Sequence, residues 1–275
     1  MTAGQTRLQA RLDALRAAGR KALVPFVTAG DPSLEATVPV MHALAQAGAD
    51  VIELGVPFSD PMADGPVIQR SSERALARGA GLSWVLDRVR AFRAGDAATP
   101  VVLMGYLNPV EIRGAAAFAA AAADAGVDGV LLVDLPPEEA DEYRAAFARH
   151  GLVLVSLASP TTPQARLARL ATGSEGYLYY VTFAGVTGAD RLDVGDAGQH
   201  LRALRRIATL PVYAGFGIRD AGSAAAMAAH ADGVVVGSAL VSALDGSADA
   251  QDAARRAGDF LRPLRQALDG LAAAA

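Results

Sequence analysis

The sequence contains no cysteine, and this absence removes several chemistries at once. It excludes disulfide bonds, a thiolate nucleophile and metal sites built from cysteine. Lysine is almost absent too, because Lys21 is the only one and it precedes the first predicted strand. An amine at the far end of a strand is therefore missing, which excludes Schiff-base aldol chemistry and covalent binding of pyridoxal phosphate in this chain.

Histidine is scarce and poorly placed for catalysis. The four histidines lie in predicted helices (His42 and His200) or at predicted helix ends (His150 and His230). None follows the carboxyl end of a predicted strand, so we expect neither a histidine base nor a metal site. Acid–base chemistry then falls to carboxylates or tyrosines.

The chain also lacks basic runs and any apolar run as long as a membrane span. With a formal net charge of -4 and 52% hydrophobic residues, it has the composition of a folded protein. We expect no nucleic-acid or membrane partner, and the cytoplasm as its compartment. The arginine-rich, amphipathic segment Thr6–Arg16 superficially resembles a transit peptide, but we interpret it as a structural helix that leads into the first strand.

Apolar runs alternate with helical patterns along the whole chain. Because the runs are nearly continuous in hydrophobicity, they are typical of parallel strands that are covered on both faces. Eight such repeats predict a (β/α)8 TIM barrel, an α/β fold with an extra N-terminal helix, as a single domain over residues 1–275. A doubly wound open sheet is the alternative. The predicted strands are Ala22–Thr28, Val51–Gly55, Val101–Gly105, Gly129–Asp134, Leu152–Leu157, Tyr177–Thr182, Val212–Gly217 and Gly233–Gly237.

Glycine-rich segments follow the last three predicted strands, where barrels often bind phosphate. They are Gly185–Gly188, Gly215–Gly217 and Gly237–Ser238, and none matches a P-loop or a full dinucleotide-binding motif. Backbone N–H groups at such turns attract anions, so three segments together predict a phosphate site. Ser238 is also a candidate helix cap.

Three carboxylates stand close together in the second strand and the loop after it. Glu53 interrupts an apolar strand, on the face shared by Val51 and Gly55, and is predicted to point into the barrel mouth. An unpaired carboxylate is costly to bury, which favours a catalytic use, although a backbone or arginine partner could satisfy it. Asp60 and Asp64 are also ordinary turn residues, and Asp134 at the fourth strand end is open to either interpretation. Of Tyr179 and Tyr180, one is expected to face the pocket and the other the helices.

Six motifs resemble the tryptophan synthase α-subunit family, in order and over nearly the whole chain. The second of them, with Glu53, Asp60 and Asp64, is highly specific. The motifs are Phe26–Pro32, Glu53–Pro66, Leu103–Pro109, Val133–Pro136, Gly185–Gly188 and Gly215–Ile218. The resemblance implies a (β/α)8 barrel that cleaves indole-3-glycerol phosphate into indole and glyceraldehyde 3-phosphate, without a cofactor in this chain.

The resemblance also implies roles for particular residues. Glu53 and Asp64 correspond to the catalytic carboxylates, and Tyr179 to a tyrosine near the indole, with Phe26 expected to pack on the ring. Thr187 is expected to reach Asp64 when its loop closes. The remaining expected substrate-binding positions, mostly around the phosphate, are Gly188, Phe216, Gly217, Gly237 and Ser238.

A partner is implied as well: a β subunit that carries pyridoxal phosphate, in an α2β2 tetramer. Asp60, Pro61 and Asn108 match positions that meet this partner. The sequence departs from the family at Phe183 and Ala184, where polar loop residues are usual, and at Glu111–Arg113, which replaces a more apolar stretch. A free-standing lyase, or a regulatory subunit whose catalysis has lapsed, are the alternatives.

Overall fold

Eight parallel strands form a closed barrel in sequential order, β1 to β8, which confirms the predicted fold class. The computed structural model describes residues 6–181, 194–215 and 217–273. The strands are β1 (Ala22–Thr28), β2 (Ile52–Gly55), β3 (Val101–Gly105), β4 (Gly129–Leu132), β5 (Val153–Ala158), β6 (Leu178–Val181), β7 (Val212–Gly215) and β8 (Gly233–Val236). Each differs from its predicted bounds by a few residues at most, because apolar parallel strands give a strong sequence signal.

Helices surround the barrel in the described part of the chain. They are α1 (Arg7–Ala17), α2 (Thr37–Gln46), α3 (Pro66–Ala77), α4 (Leu82–Arg93), α5 (Leu107–Arg113), α6 (Ala115–Ala125), α7 (Ala140–Ala148), α8 (Gln164–Gly173), α9 (Val194–Ile207), α10 (Ala221–Ala228), α11 (Ser238–Leu244) and α12 (Ala250–Ala273). Four of them contain proline: Pro39, Pro66 and Pro109 lie in the first turns of α2, α3 and α5, where proline is tolerated, and Pro263 lies inside α12. No described helix is both long and apolar enough to cross a membrane.

The buried apolar residues form two hydrophobic cores. One fills the space between the barrel and the helices. The other fills the barrel itself, where inward-facing residues such as Val51, Tyr177 and Tyr213 pack together. Helix α1 supplies Leu8, Leu12 and Leu15 to this inner core, so it closes the amino-terminal end of the barrel. The segment that resembles a transit peptide is thus a helix packed on the barrel.

A carboxylate immediately before or near the start of each even-numbered strand binds the preceding strand. Asp50 accepts a hydrogen bond from the N–H of Leu23 at 2.9 Å. The same contact repeats around the barrel, from Val101 N–H to Asp128, from Leu154 N–H to Glu175, and from Val212 N–H to Asp232. These bonds satisfy strand-end N–H groups that no neighbouring carbonyl reaches, and they divide the barrel into four similar units.

Asp50 is also the centre of a buried ion-pair network. Its carboxylate lies 2.9 Å from the Arg265 guanidinium and 3.1 Å from that of Arg20. Asp50 is 1% exposed and Arg265 is 7% exposed, so neither charge could rely on water if its partner were removed. Because Arg265 belongs to α12, this network fastens the last helix to the amino-terminal end of the barrel.

We predict that Asp50→Asn lowers the free energy of unfolding by about 2 kcal/mol, since it leaves the buried Arg265 charge with only the half-exposed Asp269 as a carboxylate partner among the described residues. Urea unfolding followed by circular dichroism measures the change. Asp259→Asn is the matched control, because Asp259 pairs with arginines on the exposed surface and should cost less than about 1 kcal/mol. Equal losses in the two variants would contradict the role given to the Asp50 network.

Candidate active site

A cavity of about 580 Å³ opens at the carboxyl end of the barrel strands. Six of the residues expected at the site line it: Phe26, Asp64, Tyr179, Gly217, Gly237 and Ser238. Apolar strand-end residues, among them Met104, Val133 and Leu157, complete much of its wall. The cavity therefore combines an apolar surface with a few polar groups, as small-molecule sites commonly do. Thr187, Gly188 and Phe216 lie outside the described residues.

Glu53 is absent from the cavity lining because it is buried in the barrel interior, with no exposed surface. It stands opposite Phe26 in the register of β1 and β2. The hydroxyl of Tyr177 donates a hydrogen bond of 2.8 Å to its Oε1 atom. Its Oε2 atom has no partner in the described part of the chain. The carboxyl group thus keeps one oxygen available for a proton.

Burial raises the pKa of Glu53 to about 7, although the hydrogen bond from Tyr177 acts in the opposite direction. The charged form is costly in this apolar surrounding, and no cation near it is among the causes of its shift. A carboxyl group with a pKa near neutrality can both donate and accept a proton during turnover. Glu53 is therefore suited to acid–base chemistry.

Tyr177 is the functional neighbour that sequence reasoning missed. Its ring stacks on that of Tyr213, with centroids 4.6 Å apart, and both rings are buried in the barrel core. Residues two apart on a strand share a face, so Tyr177 points into the barrel interior as Tyr179 does. This alternation is the sequence signal that could have placed Tyr177 on the same side as Glu53. Tyr180, by contrast, packs in the outer core against the helices, as expected for one of the two adjacent tyrosines.

Asp64 is held in place by the residue after β3. Tyr106 donates its hydroxyl hydrogen to Asp64 Oδ2 at 3.0 Å and accepts the N–H of Ala63 at 3.0 Å. The side chain of Gln69 in α3 binds the Asp64 carbonyl oxygen at 2.9 Å. Burial raises the pKa of Asp64, and the Tyr106 hydrogen bond opposes that shift. These contacts fix the carboxylate at the cavity wall.

Tyr179 connects the two carboxylates. Burial raises its pKa, and the charges of Glu53 and Asp64 raise it further, so both carboxylates lie within electrostatic range of its ring. A side chain at Gly215 could not fit, since a Cβ there would lie 2.2 Å from the Tyr179 hydroxyl oxygen. Gly55 is similarly required, because its Cβ would lie 2.6 Å from Cζ of Phe26. Two glycines thus make room for the two rings that line the cavity.

Glycine also shapes the part of the cavity that follows β7 and β8. Gly217 has a φ of 71°, a left-handed conformation that favours glycine. Gly237 immediately precedes α11, and Ser238 is its first residue. The prediction that the Ser238 side chain caps this helix is wrong: Gly237 occupies the cap position, and no side chain caps the helix. Without a Cβ at Gly237, the backbone stays accessible from the cavity.

The remaining candidates lie outside this cavity. Asp134 Oδ1 accepts the N–H of Leu107 at 2.8 Å and so holds the start of α5, which is a structural role. Asp60 and Asn108 are exposed, and Pro61 is half-buried beside the cavity-lining loop. The family resemblance predicts that Asp60, Pro61 and Asn108 meet a partner, and none of the three is fully buried.

The tryptophan synthase alpha chain family model matches residues 12–268. The chain belongs to the tryptophan synthase alpha chain family. A tryptophan synthase alpha chain from Xanthomonas campestris is 68% identical over 270 residues, which cover 98% of this chain and 99% of that protein. One from Xanthomonas oryzae is 69% identical over 264 residues, covering 96% and 98% respectively.

Solved structures agree with this assignment. Tryptophan synthase subunit alpha from Legionella pneumophila superposes with a TM-score of 0.91 at 45% identity, covering 97% of this chain and 100% of that one. A chain of tryptophan synthase from M. tuberculosis gives 0.84 at 35% identity, covering 96% and 100%. The resemblance found in the sequence is confirmed. As a tryptophan synthase alpha chain, the protein is a carbon–carbon lyase of tryptophan biosynthesis, and the family's reaction is the retro-aldol cleavage of indole-3-glycerol phosphate.

We predict that Glu53→Gln stabilises the protein in alkaline solution. Because the pKa of Glu53 rises from 4.5 to about 7 on folding, its contribution to stability is complete below pH 4.5 and is lost as the pH rises through 7. Glutamine keeps the shape and carries no charge. The variant should therefore exceed the unmodified protein by about 3 kcal/mol at pH 8, with a much smaller difference at pH 5.

Urea unfolding at the two pH values tests this prediction. The control is Glu73→Gln, the same substitution at a glutamate on the exposed side of α3. Gln69 in the same helix is left unchanged because it binds the Asp64 loop. It should change stability little, and equally at both pH values. A Glu53→Gln effect that did not vary with pH would contradict the raised pKa.

Proposed function

We propose that Glu53 transfers the protons of the retro-aldol reaction and that Asp64 binds the indole N–H of the substrate. The observation that best supports this proposal is the fully buried Glu53 carboxyl group, whose Oε2 has no partner among the described residues. Asp64, on the cavity wall, is an acceptor for an N–H donor and a counter-charge for a cationic ring. The two carboxylates thus have different surroundings and different tasks.

The proposed chemistry needs no amine and no metal ion. Glu53 turns from its buried position toward the cavity when the substrate binds. In its protonated form it gives its proton to C3 of the indole ring, which makes the ring an electron sink, and Asp64 stabilises the positive charge that develops on the ring nitrogen. The carbon–carbon bond then breaks, and its electron pair returns to the ring. Glu53 accepts the proton of the glycerol hydroxyl as the aldehyde forms. Glu53 ends protonated, as it began, so the cycle closes.

The cavity supports one orientation of the substrate. Phe26 and Tyr179 offer an apolar surface for the indole ring on the side of β1 and β6. Gly217, Gly237 and Ser238 offer backbone N–H groups for the phosphate. By motif, Gly188 and Phe216 would join this end, and Thr187 would contact Asp64 in a closed state.

We predict that Glu53→Gln lowers the rate of indole release from indole-3-glycerol phosphate at least about 100-fold, because the amide cannot transfer a proton. Indole is measured in single turnover with the purified chain. The variant should bind glyceraldehyde 3-phosphate as tightly as the unmodified protein does, which separates chemistry from binding. Substantial turnover by the variant would remove Glu53 from the proposed role.

We further propose that the chain acts as one barrel domain over residues 1–275, in the cytoplasm, and pairs with a β subunit in an α2β2 tetramer. The pyridoxal phosphate would belong to that subunit. Asp60, Pro61 and Asn108 are the proposed contacts. Support comes from two large exposed apolar side chains: Met62, next to Pro61, is 86% exposed, and Ile112, one helical turn after Asn108, is 81% exposed. Exposed apolar groups at a polar surface are typical of interfaces.

We predict that Met62→Glu weakens co-elution of the chain with the tryptophan synthase β subunit of the same organism. A charge in an apolar contact is costly, and at least a tenfold rise in Kd is expected. Ile207→Glu is the control, because Ile207 is an exposed apolar residue at the end of α9, on the other side of the barrel. A chain that releases indole but never co-elutes with the β subunit would favour a free-standing lyase. Co-elution without any indole release would favour a regulatory subunit that has lost catalysis.

A further inference from the structure

The charged groups of the cavity are few and have opposite signs. Among the described residues that line it, only Asp64 and Arg219 carry a charge. Asp64 lies in the loop after β2, and Arg219 follows β7. In the closed barrel these strands are three positions apart, so the two charges stand on different sides of the opening. The cavity therefore has a negative side and a positive side.

Arg219 occupies a turn with a defined backbone. Its N–H donates to the hydroxyl of Ser223 at 3.0 Å, and Ser223 N–H donates to Asp220 Oδ1 at 2.8 Å in the capping box of α10. These bonds fix the backbone between Gly217 and the helix, which places the Arg219 side chain at the rim of the cavity. The position of Arg219 is thus a consequence of the local fold.

The Arg219 guanidinium is not neutralised by an ion pair within the described chain. No described carboxylate lies within salt-bridge distance of it, in contrast to Arg74, which pairs with Asp31 at 2.7 Å. Asp220, its neighbour, directs Oδ1 to Ser223 in the helix cap. The Ser223 hydrogen bonds and, in smaller part, the Arg219 charge lower the pKa of Asp220, but the two side chains form no salt bridge. An arginine without a salt bridge, at the rim of a cavity and close to Gly217, is suited to bind an anion.

We propose that Arg219 binds the terminal phosphate of the substrate and sets the preference of the enzyme for a phosphorylated glycerol chain over its uncharged counterpart. This inference rests on the proposed orientation of the substrate. Backbone N–H groups supply hydrogen bonds but no full charge, whereas a phosphate monoester carries between one and two negative charges at neutral pH. Arg219 supplies the missing positive charge, and Asp64 disfavours the reversed orientation, in which the phosphate would meet a carboxylate.

Substrates with and without the phosphate test the proposal. We compare kcat/KM for indole-3-glycerol phosphate and for indole-3-glycerol in the unmodified protein and in Arg219→Gln, Arg219→Lys and Arg149→Gln. Arg149 is the matched control, an exposed arginine without a described ion pair at the end of α7, away from the cavity. Inhibition by inorganic phosphate gives a binding readout that does not depend on turnover of the slower substrate.

With indole-3-glycerol phosphate, Arg219→Gln should lower kcat/KM about 3- to 10-fold, mainly through KM, because the side chain is exposed and partly screened. Its effect on indole-3-glycerol should be negligible. Inhibition by phosphate should weaken by a similar factor, and Arg219→Lys should restore part of it, since lysine keeps the charge without the bidentate geometry. Arg149→Gln should resemble the unmodified protein throughout.

Two results would overturn the proposal: an Arg219→Gln enzyme that keeps the full preference for the phosphorylated substrate, or one that loses activity equally on both substrates. Either can occur while the unmodified protein still cleaves indole-3-glycerol phosphate, so the function proposed above would stand. If the unmodified protein released no indole and bound no phosphate, the proposed site itself would be wrong.

Discussion

The active site depends on the burial of one carboxyl group inside a barrel that is otherwise apolar at that level. Glu53 has no exposed surface, and its described hydrogen-bond partner is the hydroxyl of Tyr177. Tyr177 is itself held by stacking on Tyr213, so the Glu53 carboxyl group, which we propose as the proton-transfer group, is oriented by two aromatic rings of the barrel core. Packing of the barrel therefore determines both where the carboxyl group lies and how readily it ionises.

The two ends of the barrel use carboxylates in contrasting ways. At the amino-terminal end, Asp50 and Asp128 are also buried, and burial raises their pKa values, but each binds a strand N–H group and arginine side chains that oppose this shift. Near the carboxyl end, the Oε2 atom of Glu53 has neither a backbone N–H group nor an arginine as a partner in the described part of the chain. The charged form of this carboxyl group is therefore unfavourable. Burial thus disfavours ionisation at both ends, but described partners offset that cost for Asp50 and Asp128 more fully than for Glu53.

The sequence was sufficient for the barrel and for most of the cavity, for physical reasons that differ between residues. The strands were predictable because strands covered on both faces are nearly continuous in hydrophobicity. Glu53 was conspicuous because a carboxylate is rare on such a strand. Tyr177 was not, since a buried tyrosine has the same sequence signature whether it packs or orients a catalytic group. The helix cap predicted at Ser238 is wrong because α11 begins at Ser238 itself, with Gly237 at the cap position. Local sequence patterns do not determine a helix end to within one residue.

Glycine explains why aromatic rings can share the barrel mouth with a carboxyl group. Gly55 and Gly215 lie on inward faces of β2 and β7, where any side chain would overlap Phe26 or Tyr179. The lack of side chains at these points lets both rings line the cavity, while Glu53 stays fully buried opposite Phe26 in the strand register. Dry surroundings are what raise the pKa of Glu53 toward neutrality. Gly55 on β2 and Gly215 on β7 thus act on the proposed proton-transfer group through the neighbouring rings, and a larger residue at either position would change the ionisation of Glu53 by moving a ring.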